Sequence, residues 1–155
     1  MRAPANADGA HSGGQRWEAE GATTFVFVDR DLHADALPCL TALRARGLRL
    51  GAAGNMHAHH EEFLRPHVDF VGSSERWGIQ KPDAGFFAQV VEEAGVPAEE
   101  ILYVGDRVDN DVIPARAAGL HAVRIRRGGH AQVESPAGTV TIESLDELPD
   151  VLEHV

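Results

Sequence analysis

Short apolar runs recur along residues 25–152, and each is followed by a stretch with helical spacing. The runs predict strands at Phe25–Val28, Leu48–Ala52, Val68–Val71, Ile101–Val104 and Leu120–Ile125, with a further short strand at Val140–Ile142. The stretches between them predict helices at Ala34–Arg46, His57–Arg65, Asp83–Ala94 and Asp111–Ala118. A capping-box pattern from Ser144 to Glu147 opens a last helix.

This alternation of strands and helices predicts the fold class. Short connections between them imply βαβ units, and βαβ units build a parallel sheet. We therefore expect an α/β fold: a doubly wound, Rossmann-like parallel sheet of about five strands with helices on both faces. A chain of 155 residues fits one domain. Residues 1–22 lack periodicity and predict a flexible N-terminal tail, which leaves 23–155 as the core domain.

Composition narrows the functional classes. The formal net charge of -10 argues against nucleic acid or an anionic membrane as partner, because both need a basic face. No apolar run approaches the roughly 18 residues of a membrane helix, and the N-terminus lacks a secretory apolar region. The single cysteine, Cys39, fits a reducing compartment and a packed thiol. We expect a cytoplasmic monomer or homodimer.

Polar residues that could take part in binding or catalysis lie where predicted strands end. Asp29, Asp31, Gly54, Asn55 and Asp106 all follow an apolar run closely. Parallel sheets bind ligands at the carboxyl ends of their strands, so these residues form one candidate site. Gly54 and Asn55 would offer N–H groups to a phosphate.

The carboxylates and one lysine suggest phosphoryl transfer. Asp29 is a candidate nucleophile that would form an aspartyl phosphate, and Asp31 a candidate general acid and base. Massed carboxylates need a cation, and Mg²⁺ held by Asp29, Asp31, Asp106 and Asp111 would supply it. Lys81, before Pro82, would neutralise the nucleophile and the phosphoryl oxygens as a point charge.

Simpler interpretations stand beside these. An isolated Asp-x-Asp is more often a turn or a helix cap, and Lys81 before a proline can be a plain loop residue. Asp109 is a candidate helix N-cap rather than a ligand. His57, His59 and His60 resemble a metal cluster, but a solvated helix face explains them more simply.

The motifs resemble those of the haloacid dehalogenase superfamily of phosphohydrolases, over about 25–152. The matching segments are Trp77-Gly78-Ile79-Gln80-Lys81-Pro82-Asp83, Tyr103 through Asp111, and Pro114-Ala115-Arg116-Ala117-Ala118-Gly119. The resemblance implies a doubly wound sheet, Mg²⁺ dependence and an aspartyl-phosphate intermediate. The spacing leaves no room for a cap domain, because about 22 residues separate Asp31 from Gly54 and about 25 separate Asn55 from Lys81.

Two features depart from the family pattern. Gly54 stands where the family usually has Ser or Thr. The segment Asp31-Leu32-His33-Ala34-Asp35-Ala36-Leu37-Pro38 also resembles a region downstream of the first motif, where capped members return from the helical cap to the core. On that interpretation the nucleophile strand is absent and Asp29 is accidental.

Three functional hypotheses follow. The first is a Mg²⁺-dependent phosphatase acting on a phosphorylated substrate of unknown identity, with dehalogenation as a minor alternative. The second is a truncated or degenerate core without catalysis, serving as a phosphate-binding, metal-binding or interaction module. The third, a phospho-acceptor receiver domain, fits poorly because Val68–Val71 has no aspartate at its end.

Overall fold

The computed structural model describes residues 15–19, 22–26 and 28–153. Most of the expected N-terminal tail, 1–14 and 20–21, lies outside these residues. Within that tail, Gln15–Ala19 forms strand β1.

The first two strands form a hairpin instead of joining the parallel sheet. β1 pairs antiparallel with β2, Ala22–Val26, with Trp17 opposite Thr24. The expected parallel strand Phe25–Val28 is therefore wrong in its bounds and pairing. Val28 precedes a single 3₁₀ turn, Asp29–Asp31, and Phe27 lies outside the described residues. Apolar, β-branched residues favour a strand without choosing its partner, and antiparallel pairing with a near neighbour needs no crossover.

Five parallel strands follow, in two hydrogen-bonded sets. One set pairs β3, Gly51–Gly54, with β4, Phe70–Ser73. The other has the order β5-β6-β7, formed by Leu102–Gly105, His121–Ile125 and Val140–Ile142. The expected five parallel strands are present, but β7 takes the place of Phe25–Val28, and β3 is not hydrogen-bonded to β5.

Helices connect these strands. They are α1 Ala36–Ala45, α2 His60–Leu64, α3 Ser74–Trp77, α4 Ala84–Ala94, α5 Ile113–Ala117 and α6 Leu148–Val151. All were expected within a few residues except α3, and α5 is preceded by a π-helical turn, Val108–Val112. The capping box of Ser144 and Glu147 is confirmed. Across the described ranges, no helix combines the length and apolar character needed to cross a membrane.

Two cores lie on opposite faces of the strands. One joins Cys39 and Leu43 of α1 and Leu148 of α6 to strand residues from both sets; these are Ala52, Val71, Leu102, Val104, Val123, Ile125 and Ile142. The other joins α4 and α5 to Ala53, Tyr103 and Ala122, the alternate strand residues. Because strand side chains alternate between faces, the two sets share both cores and form parts of one layer. Cys39 is buried, as expected.

Candidate active site

The carboxyl end of β3 is tied to the lysine-proline segment. The Asn55 side chain donates from Nδ2 to the Lys81 carbonyl oxygen at 3.0 Å, and the Lys81 N–H donates to Asn55 Oδ1 at 2.7 Å. The Lys81–Pro82 peptide bond is cis. The Asn55 amide, expected to face a phosphate, thus holds the backbone of Lys81. Gly54, expected after the strand, is its last residue, and an added Cβ there would meet no described atom within 4 Å.

Lys81 and Asp111 form a buried ion pair at this edge. The Lys81 amine donates to Asp111 Oδ1 at 2.5 Å, and the two side chains are 13% and 3% exposed. The backbone N–H of Arg107 donates to Asp111 Oδ2 at 3.0 Å. The amine also lies 5.9 Å from the ring centres of Phe86 and Tyr103. The structure therefore brings together two of the predicted site residues.

Backbone shape at the end of β5 allows Asp111 to reach this position. The π-helical turn turns Asp111 back toward the strand, and a Cβ on Gly105 would lie 2.4 Å from the Cβ of Asp111. Only glycine permits so close an approach. Asp109, two residues earlier, is not the helix N-cap that we expected. Arg107 precedes the turn, and the Asp109 carboxylate pairs instead with the Arg107 guanidinium at 2.7 Å.

Tyr103 lies beneath the pair. Its hydroxyl is 3.5 Å from Asp111 Oδ1. Burial first, and then the negative charges of Asp111 and Asp106, raise the pKa of Tyr103 well above its usual range. The phenol therefore stays protonated and can only donate to a carboxylate.

Asp106 presents an open carboxylate. Within 28–153 its side chain makes no hydrogen bond or ion pair, while its carbonyl oxygen accepts from Arg124 Nε at 3.3 Å. Arg124 is fully buried and also donates to the carbonyl oxygens of His130 and Val133 and to Ser135. The buried arginine fixes the backbone and leaves the carboxylate of Asp106 available.

The carboxylate oxygens of Asp106 and Asp111 are the type of ligand that Mg²⁺ prefers, but too few of them are free to hold the ion. Mg²⁺ prefers carboxylate oxygens and water, and Asp106 offers one unused carboxylate. Both oxygens of Asp111 already accept hydrogen bonds from Lys81 and Arg107. The described part of the chain contains no group of three His, Cys, Asp or Glu side chains able to hold a metal. One further oxygen ligand or more would complete the set.

Asp29 and Asp31 lie elsewhere. Asp29 Oδ1 is 3.2 Å from His67 Nε2, and the Asp29 side chain is 66% exposed. His67 comes three residues before β4 begins, so Asp29 lies at the amino end of that strand, opposite the edge that carries Lys81. Asp31 Oδ2 accepts from the Val28 N–H at 2.9 Å, and its Oδ1 is buried without a partner among the described residues. The structure does not bring the Asp-x-Asp pair to Lys81, Asp106 or Asp111.

Three histidines cluster after Asn55. The rings of His57, His59 and His60 have centres 4.0 to 6.1 Å apart, and His57 Nδ1 lies 3.5 Å from Glu75. Burial, together with His59 and His57, lowers the pKa of His60. The cluster lies beside the candidate site without contributing to the Lys81–Asp111 pair.

Sequence reasoning missed Tyr103 and Arg124. A charged residue inside an apolar run was the available signal for Arg124, since an arginine in a buried strand must find several acceptors. The signal for Tyr103 was weaker: it alternates with Leu102 and Val104 along the strand, so its side chain points to the other face of the sheet. The long-range pair of Asp35 with Arg127 had no local signal.

Comparison with known proteins shows the family to which this chain is related. The family described as haloacid dehalogenase-like hydrolase matches residues 6–119. A glyceraldehyde 3-phosphate phosphatase of Methanocaldococcus jannaschii is 38% identical over 123 residues, which cover 75% of this chain and 54% of that protein. The haloacid dehalogenase-like hydrolase domain-containing protein 3 of Danio rerio is 31% identical over 131 residues, which cover 80% and 54%.

Solved structures show the same fold. A haloacid dehalogenase (HAD) phosphatase from Thermococcus onnurineus matches with a TM-score of 0.68 and 27% identity, over 78% of this chain and 58% of that one. A 2-haloacid dehalogenase from Pseudomonas syringae matches with a TM-score of 0.66 and 29% identity, over 78% and 53%. The chain spans about half the length of the curated relatives that it matches. On its sequence and its fold, this chain belongs to the haloacid dehalogenase-like hydrolase family.

Proposed function

We propose that this chain forms the core of a Mg²⁺-dependent phosphatase that hydrolyses phosphate monoesters through an aspartyl-phosphate intermediate. The observation that carries the proposal is the buried Lys81–Asp111 pair at the carboxyl ends of parallel strands. The open carboxylate of Asp106 directly follows one of these strands, β5. A rigid cation and an unpaired carboxylate at one edge suit a site that receives a phosphoryl group and a divalent metal.

Each residue of this half-site has a role in the proposal. Lys81 neutralises charge on the attacked phosphoryl group, and Asp111 fixes the position of its amine. Asp106 would hold Mg²⁺, and the bound metal would offset the repulsion between carboxylates and phosphate. Asn55 holds the Lys81 backbone. An added Cβ at Gly54 would meet no described atom within 4 Å, so the space at the end of β3 could receive the phosphate.

The reaction needs a nucleophilic carboxylate facing Lys81. Its oxygen forms a bond to phosphorus while the bond from phosphorus to the leaving oxygen breaks, and a general acid protonates that oxygen. Water then attacks the phosphoenzyme, a general base takes its proton, and phosphate leaves with the carboxylate restored. Asp29 and Asp31 stay our predictions for these two roles. In the described conformation, the segment that carries them would have to move to the opposite edge.

The substrate class follows from the relatives and from the open edge. Among them are phosphatases named for glyceraldehyde 3-phosphate, so we propose a phosphorylated small molecule. Within 28–153, the segments between Asp31 and Gly54 and between Asn55 and Lys81 hold only the strands and helices already described. We propose a capless core, open to a bulky substrate or to a partner subunit that closes it. The acidic charge and single cysteine support a cytoplasmic monomer or homodimer.

Beryllofluoride tests the proposal without knowledge of the substrate, because it attaches to a nucleophilic carboxylate in the presence of Mg²⁺. We would follow it by ¹⁹F NMR in the full chain and in Asp29→Asn, Lys81→Met and Asp106→Asn, with Asp109→Asn as the matched control. A Mg²⁺-dependent adduct lost in Asp29→Asn, Lys81→Met and Asp106→Asn and kept in Asp109→Asn supports the phosphatase with Asp29 as nucleophile. An adduct that survives Lys81→Met would refute the role of this edge.

A second candidate function is a core without catalysis that binds phosphate, metal or a partner. The position of Asp29 beside His67 favours it, because no described aspartate then faces Lys81 as a nucleophile. A folded parent chain that forms no adduct, but whose Asp106 and Lys81 signals shift on adding Mg²⁺ and phosphate, would support this alternative.

A further inference from the structure

Arg124 places a positive charge inside the fold, next to the end of β5. It is fully buried, and the register of β6 on β5 sets it beside Gly105. Within 28–153, every acceptor of its guanidinium N–H groups is a carbonyl or hydroxyl oxygen, and none is a carboxylate. Burying a charge is costly unless such contacts offset the cost, and an apolar side chain would fill the same position without it. The arginine therefore indicates a role other than packing.

The acceptors of Arg124 belong to two parts of the chain. Its Nε donates to the carbonyl oxygen of Asp106, directly after β5, at 3.3 Å. Its Nη2 donates to the carbonyl oxygen of His130 at 2.7 Å. Its Nη1 donates to the carbonyl oxygen of Val133 and to Ser135 Oγ, the latter at 3.0 Å. One guanidinium thus joins the strand end that carries the candidate metal ligand to the loop that follows β6.

The segment 128–135 of this loop has little buried surface of its own. Most of its residues are exposed, and its regular structure is a single 3₁₀ turn, Gly128–His130. Ser135 Oγ, besides accepting from Arg124, lies 2.8 Å from Thr141 Oγ1 in β7. A segment that buries few apolar groups keeps one conformation only where hydrogen bonds hold it. Arg124 therefore fixes the backbone of 128–135 relative to the end of β5.

The shape of the side chain explains why an arginine occupies this position. Its guanidinium is planar and rigid, and it presents five N–H donors in fixed directions. It can therefore bind oxygens of two chain segments at once and fix the distance between them. A lysine amine has three donors on a single atom at the end of a flexible stem, and cannot span the same set of oxygens.

We propose that Arg124 is a positioning residue of the candidate site: it holds residues 128–135 beside Asp106, so that the rigidity of this segment and Mg²⁺ binding at Asp106 depend on each other. The Mg²⁺ part rests on the proposed function, whereas the coupling of the segment to the end of β5 does not. Coupling between two sites is reciprocal. If the fixed segment favours the geometry in which Asp106 binds Mg²⁺, bound Mg²⁺ must in turn stabilise the segment.

Arg116 provides a matched control. It holds a later part of the same loop, because its Nη1 donates to the carbonyl oxygen of Ala137 at 3.4 Å and to Thr139 Oγ1 at 3.1 Å. Among the described residues, its hydrogen bonds reach this loop and not the end of β5. Loss of the Arg116 guanidinium should therefore leave the backbone at Asp106 unchanged.

The experiment compares the full ¹⁵N-labelled chain with Arg124→Met and, as the conservative variant, Arg124→Lys. Backbone order parameters from ¹⁵N relaxation report the rigidity of 128–135, and the amide shift of Arg107, directly after Asp106, reports Mg²⁺ binding. In Arg124→Met we expect the order parameters of the segment to fall below about 0.6. We expect Mg²⁺ to bind about 10-fold more weakly to this variant. Arg124→Lys should resemble Arg124→Met, because it keeps the charge and loses the planar fork.

Hydrogen exchange measures the coupling in the reverse direction. The Val133 N–H donates to the carbonyl oxygen of His130 at 3.1 Å, so its exchange reports opening of the segment. Saturating Mg²⁺ should slow this exchange at least about threefold in the parent chain and leave it unchanged in Arg124→Met. Ser135→Ala removes one acceptor of Arg124 and should lower the Mg²⁺ affinity by about twofold. Arg116→Met should keep the affinity of the parent chain.

A purely structural role predicts a different result. Arg124→Met would then have a lower free energy of unfolding, while the order parameters and the Mg²⁺ affinity of the folded protein stayed as in the parent chain. That result would overturn the proposal, and so would an equal loss of Mg²⁺ affinity in Arg116→Met. If Arg124→Met does not fold, Ser135→Ala decides: Mg²⁺ affinity and Val133 exchange equal to those of the parent chain would refute the coupling.

Failure of the proposed function gives a distinct result. A parent chain that binds no Mg²⁺ would refute the metal site at Asp106. Ser135→Ala then tests the coupling alone. A shift of the Asp106 and Arg107 amide signals in that variant keeps the coupling, and unchanged signals refute it.

Discussion

Two carboxylate–cation pairs at opposite edges of the strands differ in almost every physical respect. The Lys81–Asp111 pair is buried, at 13% and 3% exposure, and a backbone N–H also binds Asp111. The Asp29–His67 pair is exposed on the aspartate side, at 66%, and depends on protonation of an imidazole. Asp29 directly follows the apolar run Phe25–Val28, whereas Asp111 stands seven residues after the end of its run at Val104. The comparison teaches that the position after an apolar run does not make a site, and that the backbone that buries and orients the carboxylate does.

The largest expected effect is at Lys81. Lys81→Met keeps most of the apolar stem and leaves the Asp111 carboxylate buried without its cation, which typically costs about 3–5 kcal/mol. We expect a loss of that order in the free energy of unfolding, measured by urea titration. The double variant Lys81→Met/Asp111→Asn should recover part of it, because a neutral amide is cheaper to bury. Equal stability of Lys81→Met and the parent would show that the pair is not effectively buried.

An intermediate effect is expected at Glu61, a buried carboxylate with fixed partners away from the site. Glu61 accepts from Ser73 N–H and Oγ and from Arg76 Nε. Burial acts to raise its pKa, but the hydrogen bonds from Ser73 and Arg76 outweigh it and hold the pKa below the usual value of 4.5. Glu61→Gln removes the charge and should cost about 1–3 kcal/mol at neutral pH.

The pH dependence of stability provides a control for the role of the Glu61 carboxylate. A lowered pKa means that its stabilisation is present in full above about pH 4.5 and is lost as the pH falls through the lower folded-state pKa. Unfolding curves of the parent should therefore lose stability below pH 4.5 more steeply than those of Glu61→Gln. Parallel pH profiles for the two proteins would contradict this role.

The smallest effect is expected at the exposed pair. Asp29→Asn should change the free energy of unfolding by about 0.5 kcal/mol or less, because exposed ion pairs contribute little. The same urea titration measures it, with His67→Gln as the companion variant. A loss as large as that of Lys81→Met would remove the contrast between the two edges.

Much of the strand layer was predictable because each strand carries its own apolar signal. β5, β6 and β7 lie within a residue of their expected bounds, whereas β3 and β4 begin two or three residues later than expected. Pairing was not predictable from the same signal. The run before Asp29 is as apolar as the others, yet it pairs antiparallel with β1, since β-propensity does not encode a partner.

Part of the predicted residue set comes together in the structure. Lys81 and Asp111 meet, and Asp106 directly follows β5 as expected. The hydrogen-bond partners of these side chains could not be predicted from the sequence. Asn55 holds a backbone segment, and both oxygens of Asp111 accept hydrogen bonds. Such choices depend on contacts across 26 or 30 residues, which local spacing does not specify.

The ultraviolet absorbance of Tyr103 reports on the folding of the candidate site. It is the single tyrosine of the chain, so any tyrosinate absorbance near 295 nm comes from this position alone. Because its phenol resists ionisation in the folded protein, an alkaline titration should stay silent through the range where free tyrosine responds and then rise only as the fold opens. The ultraviolet absorbance of a variant at alkaline pH would thus show whether Tyr103 is still buried beneath Lys81.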